Sequence, residues 1–490
     1  MGSRQPFDLV AAARRCLTEY GFEPDYPAAV RQEVAALQTH PPKSNPAAED
    51  LRHLLWSSID NDTSRDLDQI EYAESLPDGR TRVLIGIADV DEFVPKGSAM
   101  DQFAAQQTVT LYTGVKTFSM LPETLSTGLT SLLEEQDCAC MVTEFVLDFK
   151  EGASESSISS SRLYPALVRN KAQLAYSSTG AWLDGKAAAP AKVAASGELQ
   201  AQLKLQNEIA QRLRAERHKR GALNIETLET QAVVQDDGIE LQTPGKNSAT
   251  ELIEDFMIAA NGVVARTLQE KKIASIRRIV RTPKRWDRIV ELAARLGTKL
   301  PAVPDPKALN DFLAKQKEQD PDHFPDLSLA VVKLMGPGEY VLERPGDPPQ
   351  GHFGLAVEDY THSTAPNRRY ADLVTQRLIK AMIAGKPSPY SEDELAAIAA
   401  NCTAKSSAER KLERDMQKRI AAVALANRIG AKFSAIVTGV NEHGTFVRTL
   451  APHVDGMLVQ GHSGLDVGDS LQVKLLRTDP SRGFIDFARA

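Results

Sequence analysis

Ile59-Asp60-Asn61-Asp62-Thr63-Ser64-Arg65-Asp66-Leu67-Asp68-Gln69 places four aspartates within nine residues. Carboxylates this crowded repel one another, and a cation among them is the usual relief. All-oxygen donors suit a hard ion, Mg2+, Mn2+ or Ca2+. Two other readings compete. A charge run taken alone reads as a solvated acidic loop. The register also fits a calcium loop, with Asp60, Asp62, Ser64, Asp66, Asp68 and Glu71 at positions 1, 3, 5, 7, 9 and 12 of an EF-hand. Its position 6, however, is Arg65, where the sharp turn requires glycine. Pro77-Asp78-Gly79 then leads into a strand, not an exiting helix.

Outward from this stretch, the chain reads as three parts. Asp8–Tyr20 and Pro27–Leu37 have helical patterning, broken by Gly21 and a Pro-Asp-Tyr-Pro turn, with a proline-rich linker at 41–46. They fit a small helix-turn-helix module or a helical hairpin packed on its neighbour. From 47 to 385 strands and helices alternate. Thr81–Ala88 reads as a buried strand, Ala153–Ser161 as a serine-rich surface loop, and 197–219 and 249–270 as helices. Asp372–Ala384 and the charged stretch Glu392–Ile429 are helical. The last 60 residues hold five short apolar runs separated by glycine turns, the pattern of a small closed β-barrel.

Composition is that of a globular protein: 490 residues, 25% charged, 42% hydrophobic, net charge −7. No run of about 18 uncharged apolar residues occurs, so no membrane span is expected. The N-terminus lacks a long apolar segment before Arg14 and Arg15, which argues against a signal peptide. Cys16, Cys138, Cys140 and Cys402 form no metal-binding spacing, and a reducing cytoplasmic setting is expected. The negative net charge hides a basic region, because Thr361–Lys432 holds 13 Lys/Arg against 7 Asp/Glu. Phosphate binding needs such a local surface, since screening limits a charge's reach to about 10 Å.

The acidic stretch resembles the signature of the ribonuclease II/R catalytic (RNB) domain. The resemblance continues in family order through Ile87-Ala88-Asp89-Val90, Val94–Ser98, Met120–Ser126, Leu252–Asn261, His352–Ala356 and Tyr360–Asp372. It implies an α+β protein with three parts: a helical N-terminal module (1–45), an RNB-type mixed α/β catalytic domain (46–428) and an S1-type OB-fold barrel (429–490). It also implies a monomeric, Mg2+- or Mn2+-dependent exoribonuclease that processively shortens RNA from its 3′ end to nucleoside 5′-monophosphates. A catalytically impaired RNA-binding relic is the alternative.

On that resemblance Asp60, Asp66, Asp68 and Gln69 would hold metal, with Asp66, Asp68 and Arg368 acting in cleavage and Arg369 contacting the RNA backbone. Tyr112 would stack on a base and Tyr176 would stand near the 3′-terminal nucleotide, although a core tyrosine fits Tyr176 as well. Glu413 matches a glutamate near the RNA end or is an ordinary surface residue. In the barrel Phe433 and Phe446, with His443 and His462, are candidates for stacking, and Lys474, Arg477 and Arg482 for phosphates. Three departures stand out. Gln69 replaces a fourth aspartate, Asn367 replaces isoleucine beside the arginine pair, and no aromatic stands near Asn224-Ile225. Family members also carry two cold-shock barrels ahead of the catalytic domain, where this sequence has about 45 helical residues. Less cover over the channel would admit single-stranded 3′ ends and also duplexes with a 3′ overhang.

Overall fold

The acidic stretch connects two buried strands, and the sheet they belong to organises the molecule. The computed structural model describes residues 7–490, except 41, 43–44, 150–156, 227–230, 236–237, 243–244 and 322. Its sheet contains β1 (Glu49–Asp50), β2 (Trp56–Asp60), β3 (Gln69–Ser75), β4 (Thr81–Ala88), β5 (Asp137–Leu147) and β6 (Ile158–Ala175). The order is β1-β6-β2-β3-β4-β5, and β6 also pairs with β5. The 18-residue β6 makes this possible: its first part runs antiparallel to β5, and Asn170 to Ala175 run parallel to β2. The sheet thus closes on itself. The serine-rich segment predicted as a loop lies partly outside the described residues, and from Ile158 onward it is strand. Ladder pairing with β5 outweighs the weak β preference of serine there, and the side chains of Ser159, Ser160 and Ser161 face solvent.

Alternation along these strands produces two apolar faces. One carries Trp56, Ile70, Leu84, Val142 and Val168 and packs with Leu373, Val374 and Leu378. The other carries Ile59, Ala73, Ile85, Ile87 and Leu174 and is covered by two 23-residue helices, Gly197–Lys219 and Ser248–Glu270. Burial on both faces explains why Thr81–Ala88 reads as a nearly continuous apolar run. The helices Tyr370–Ile383 and Glu392–Ala424 follow, the second spanning 33 residues.

The N-terminal helices Leu9–Glu19 and Ala28–Thr39 are fastened to this body. Tyr20 donates its hydroxyl to Asp415 at 2.8 Å, Tyr26 donates to the Ser119 carbonyl at 2.6 Å, and Glu33 accepts the Ala99 and Met100 amides. At the other end, five strands between Lys432 and Arg489 form a closed barrel. Its interior holds Phe433, Val437, Val447, Leu458, Val473, Leu475 and Phe487, and Ala422 and Leu425 pack against it from the long helix. No helix among the described residues is long and apolar enough to cross a membrane.

A cluster of rings holds the segment 352–362 in place. Tyr360 meets His352 and His362 edge-on, and Tyr340 donates to or accepts from His362 Nδ1 at 2.8 Å. Burial and the nearby Arg278 push His352 down from 6.5 to about 4, and burial with Arg369 lowers His362 well below its ordinary value too. The unfolded chain therefore takes up protons below pH 6.5 that the folded chain refuses, so stability falls as pH drops from 6.5 towards about 4. Each histidine contributes up to about 1.4 kcal/mol per pH unit to that fall. Urea melts at about pH 7 and about pH 5 should show a smaller acid loss for His362→Gln than for the parent chain. Equal losses would contradict this account.

Candidate functional site

The loop from Asp60 to Asp68 is pinned at several points. Ser64 donates its hydroxyl to Asp60 Oδ1 at 2.9 Å, and the Asn61 amide donates to the same oxygen at 2.7 Å. Ser131 Oγ accepts the Leu67 amide at 2.9 Å and donates to the Arg65 carbonyl at 2.8 Å. Asp62 turns away to accept Ser177 Oγ at 2.8 Å. The loop joins two strands of one sheet, so the EF-hand reading, which requires flanking helices, does not hold.

Asp68 is fully buried. Its Oδ2 accepts Arg368 Nε at 2.7 Å, and its Oδ1 accepts the Asn367 amide at 3.0 Å. Burial raises the Asp68 carboxyl to about 6, with Arg368 and the Asn367 amide opposing the rise. Asp60 is raised by burial against the same opposition from Arg368. Burial disfavours the charge on Arg368 itself, but Asp68, Tyr112, Asp60 and Asp66 together hold it well above its ordinary value. Tyr112, 44% exposed, donates its hydroxyl to Asp66 Oδ2 at 3.2 Å. Asp60, Asp66, Asp68, Arg368 and Tyr112 therefore share one site.

Asn367 has a structural role that its residue type did not announce. It is fully buried, accepts Thr130 Oγ1 at 2.6 Å and donates to the Thr130 carbonyl at 3.3 Å. These bonds aim its amide at Asp68 and set Arg368 beside it. Thr130 and Ser131 were missed by sequence reasoning, since single hydroxyls carry no signal until the fold brings them to the loop.

The remaining candidates scatter. Gln69 is buried at the first position of β3, directly after Asp68. Tyr176 is partly buried, and Asp60 and Glu71 both act on its hydroxyl. Its carbonyl accepts Asn247 Nδ2 at 3.1 Å, and Asn247 also caps the helix Ser248–Glu270. A Cβ at Gly180 would lie 2.2 Å from the Asn247 side chain, so only glycine permits that approach. Arg369 is bound to Asp372 through two bonds of 2.9 and 2.6 Å. With Glu413, Arg278, Glu409 and Arg410 it lines a cavity of about 280 Å3. Phe433 is a correction: only 4% exposed, it stands edge-on to Phe487 in the barrel core and cannot stack on a base. Phe446 is half-buried on the barrel's outer side, His443, His462, Lys474, Arg477 and Arg482 are exposed, and Phe484 is an aromatic the barrel does present, 49% exposed.

Among the described residues, no three His, Cys, Asp or Glu side chains converge into a closed cation cage. The positive charge shared by the carboxylates is Arg368. The donor set nevertheless fits a hard divalent ion, being all oxygen, and both oxygens of the buried Glu71, on which the Asp60 charge acts, have no hydrogen-bond partner among the described residues.

The sequence matches the RNB domain over residues 48–385 and the RNase II-type exonuclease C-terminal S1 domain over 431–490. It is 27% identical to Ribonuclease R 1 of Lactococcus lactis, covering 94% of this chain and 59% of that protein. It is 28% identical to Ribonuclease R of Escherichia coli, covering 88% and 54%. The chain thus spans little more than half the length of these relatives. Its fold resembles Mycoplasma genitalium RNase R in its apo form and in complex with double-stranded RNA, each with a TM-score of 0.85 over 99% of this chain. Those likenesses cover 78% and 83% of the solved chains at 23% and 24% identity. The chain belongs to the RNB-domain family of ribonuclease II/R type and ends in the S1 domain of that family.

Proposed function

We propose that this chain is a Mg2+-dependent exoribonuclease, with Mn2+ as a substitute ion, that degrades RNA processively from its 3′ end to nucleoside 5′-monophosphates. The observation that carries the reading is the Asp68–Arg368 pair, with Asp60, Asp66 and Tyr112 around it. Asp60, Asp66, Asp68 and Gln69 would hold the metal. Bound there, divalent ions supply Lewis acidity to the phosphoryl oxygens and to an attacking water.

The chain's own groups do the rest. Arg368 uses Nε for Asp68, which leaves the terminal nitrogens of its fork to grip the scissile phosphate and its developing charge. Asn367 keeps that fork from swinging. The Tyr112 ring stacks on a base without regard to sequence, while its hydroxyl stays tethered to Asp66. Arg369 and Glu413, facing one cavity, flank the backbone and the RNA end. We further propose that the protein acts as a monomer in the cytoplasm. Duplexes with a 3′ overhang are proposed as substrates beside single strands, in keeping with the duplex seen on the similar Mycoplasma protein.

A time course on 5′-labelled poly(A), with Mg2+ and then with EDTA, tests the central claim. Mononucleotide release should need the ion, and Asp68→Asn should bind RNA yet cut nothing. Parent and Asp68→Asn chains behaving alike would favour the relic. Arg368→Lys keeps the charge but loses the planar fork, and kcat should drop about 10²–10³-fold. Tyr112→Ala should weaken single-strand binding by about 1–3 kcal/mol, read as a rise in Kd with little change in the metal requirement. A tailed hairpin should be degraded into its stem while a blunt one survives, and stalling at the duplex edge on both would remove the overhang proposal.

A further inference from the structure

Glu71 is a charged residue that the proposed mechanism leaves unused. It follows Gln69 by two positions on β3 and faces Ser57 across the strand pair. Its exposure is 0%, and among the described residues neither carboxylate oxygen has a hydrogen-bond partner. Ser57 Oγ opposite is buried and unpartnered as well. Buried carboxylates elsewhere in the protein are matched: Asp255 has Arg214 and Arg217, Asp101 has Arg377, and Asp89 has Lys380. The charged group that acts on Glu71 is Asp60, of the same sign. Leaving an acidic side chain this enclosed, beside another acid and without a donor, is costly, and a cation or a proton must relieve it.

The position of Glu71 favours the cation. Alternation puts Gln69 and Glu71 on the same face of β3, both buried. Tyr176, whose hydroxyl feels both Asp60 and Glu71, ties that face to the end of β2 where Asp60 stands. Position 69 is where the sequence carries an amide instead of a fourth carboxylate, and the next residue on that face restores the missing charge.

We propose that Glu71 supplies the carboxylate that position 69 lacks, as an oxygen ligand of a divalent ion held with Asp60 and the Gln69 carbonyl. This rests on the metal-dependent reading above and specifies one of its ligands. Moving the acid two residues along the strand keeps the negative charge of the site while changing which side chain bears it. Glutamate is also one methylene longer than aspartate, which suits a ligand set further back from the strand end.

Mn2+ binding to the RNA-free full chain, followed by loss of the free-ion electron paramagnetic resonance signal, tests the assignment apart from catalysis. Glu71→Gln should weaken Mn2+ binding about tenfold or more. Thermal melts should show a smaller stabilisation by Mn2+ in that variant. Returning the charge in Gln69→Asp/Glu71→Gln should restore the affinity. Should Glu71→Gln fail to fold, Glu71→Asp takes its place, since it keeps the charge but draws the oxygens back, and weakened Mn2+ binding is again expected. Unchanged Mn2+ affinity in Glu71→Gln, with an equal or higher melting temperature, would mean a neutral, protonated glutamate and would overturn the assignment alone. A parent chain that binds no Mn2+ would overturn both this assignment and the metal-dependent reading.

Discussion

A carboxylate with no exposed surface, Asp68, joined to a guanidinium 300 residues further along, is the contact on which the site depends. Removing a charge from water is tolerated only when its partners are in place, and breaking such a pair from one side typically costs about 3–5 kcal/mol. The start of β3 and the turn at 365–369 must therefore meet in a single register. The turn is held accordingly. Asp372 accepts the Ala365 amide at 2.8 Å and grips Arg369, while Asn367 is locked to Thr130. These bonds and the Asp68 contact hold Arg368 in place before any ligand arrives.

The sheet divides the labour between its faces. Asp68 is the last residue of the acidic loop and Gln69 the first of β3. Asp68 meets the arginine turn, whereas Gln69 and Glu71 alternate along β3 onto the face that carries Ala73 towards the helices Gly197–Lys219 and Ser248–Glu270. Asp60, at the last position of β2, stands where the two sides meet at the sheet's end. A site built across a strand terminus can in this way draw on both cores, with rigid strand backbone behind each carboxylate, which is more exact than a site carried on a loop alone.

What the sequence revealed follows from which interactions are local. Thr81–Ala88, 197–219 and the start of the helix at Glu392 were legible because apolar runs and the Ser391 capping box act within a few residues. The acidic stretch was legible because four like charges in nine residues are improbable without a counter-ion. Glu71 entered only as the twelfth position of the calcium-loop register, and only the fold shows its face of β3 covered. Asn367 looked like a departure that would disturb Arg368. Its partner Thr130 lies 237 residues away, and no local pattern reports such a bond. Phe433 and Phe446 could not be separated by type, because inward and outward positions of a barrel strand accept the same ring.

The basic excess between Thr361 and Lys432 also needs discounting before it is read as a phosphate track. Arg377 is spent on Asp91 and Asp101, and Lys380 on Asp89 and Asp91. These cations hold the fold and offer little to a ligand. The exposed ones that remain include Arg410, Arg414 and Lys418, spaced four residues apart on the helix Glu392–Ala424, so they form one stripe roughly 12 Å long. The stripe begins at Arg410, which lines the cavity with Arg369 and Glu413, and runs towards the helix end that packs on the barrel. On the proposed reading, RNA leaving the barrel would meet fixed positive charge at each helical turn before it reaches Arg368. A chain of net charge −7 can hold a polyanion in this way, because the potential a phosphate feels is set by the few charges within a screening length of about 10 Å.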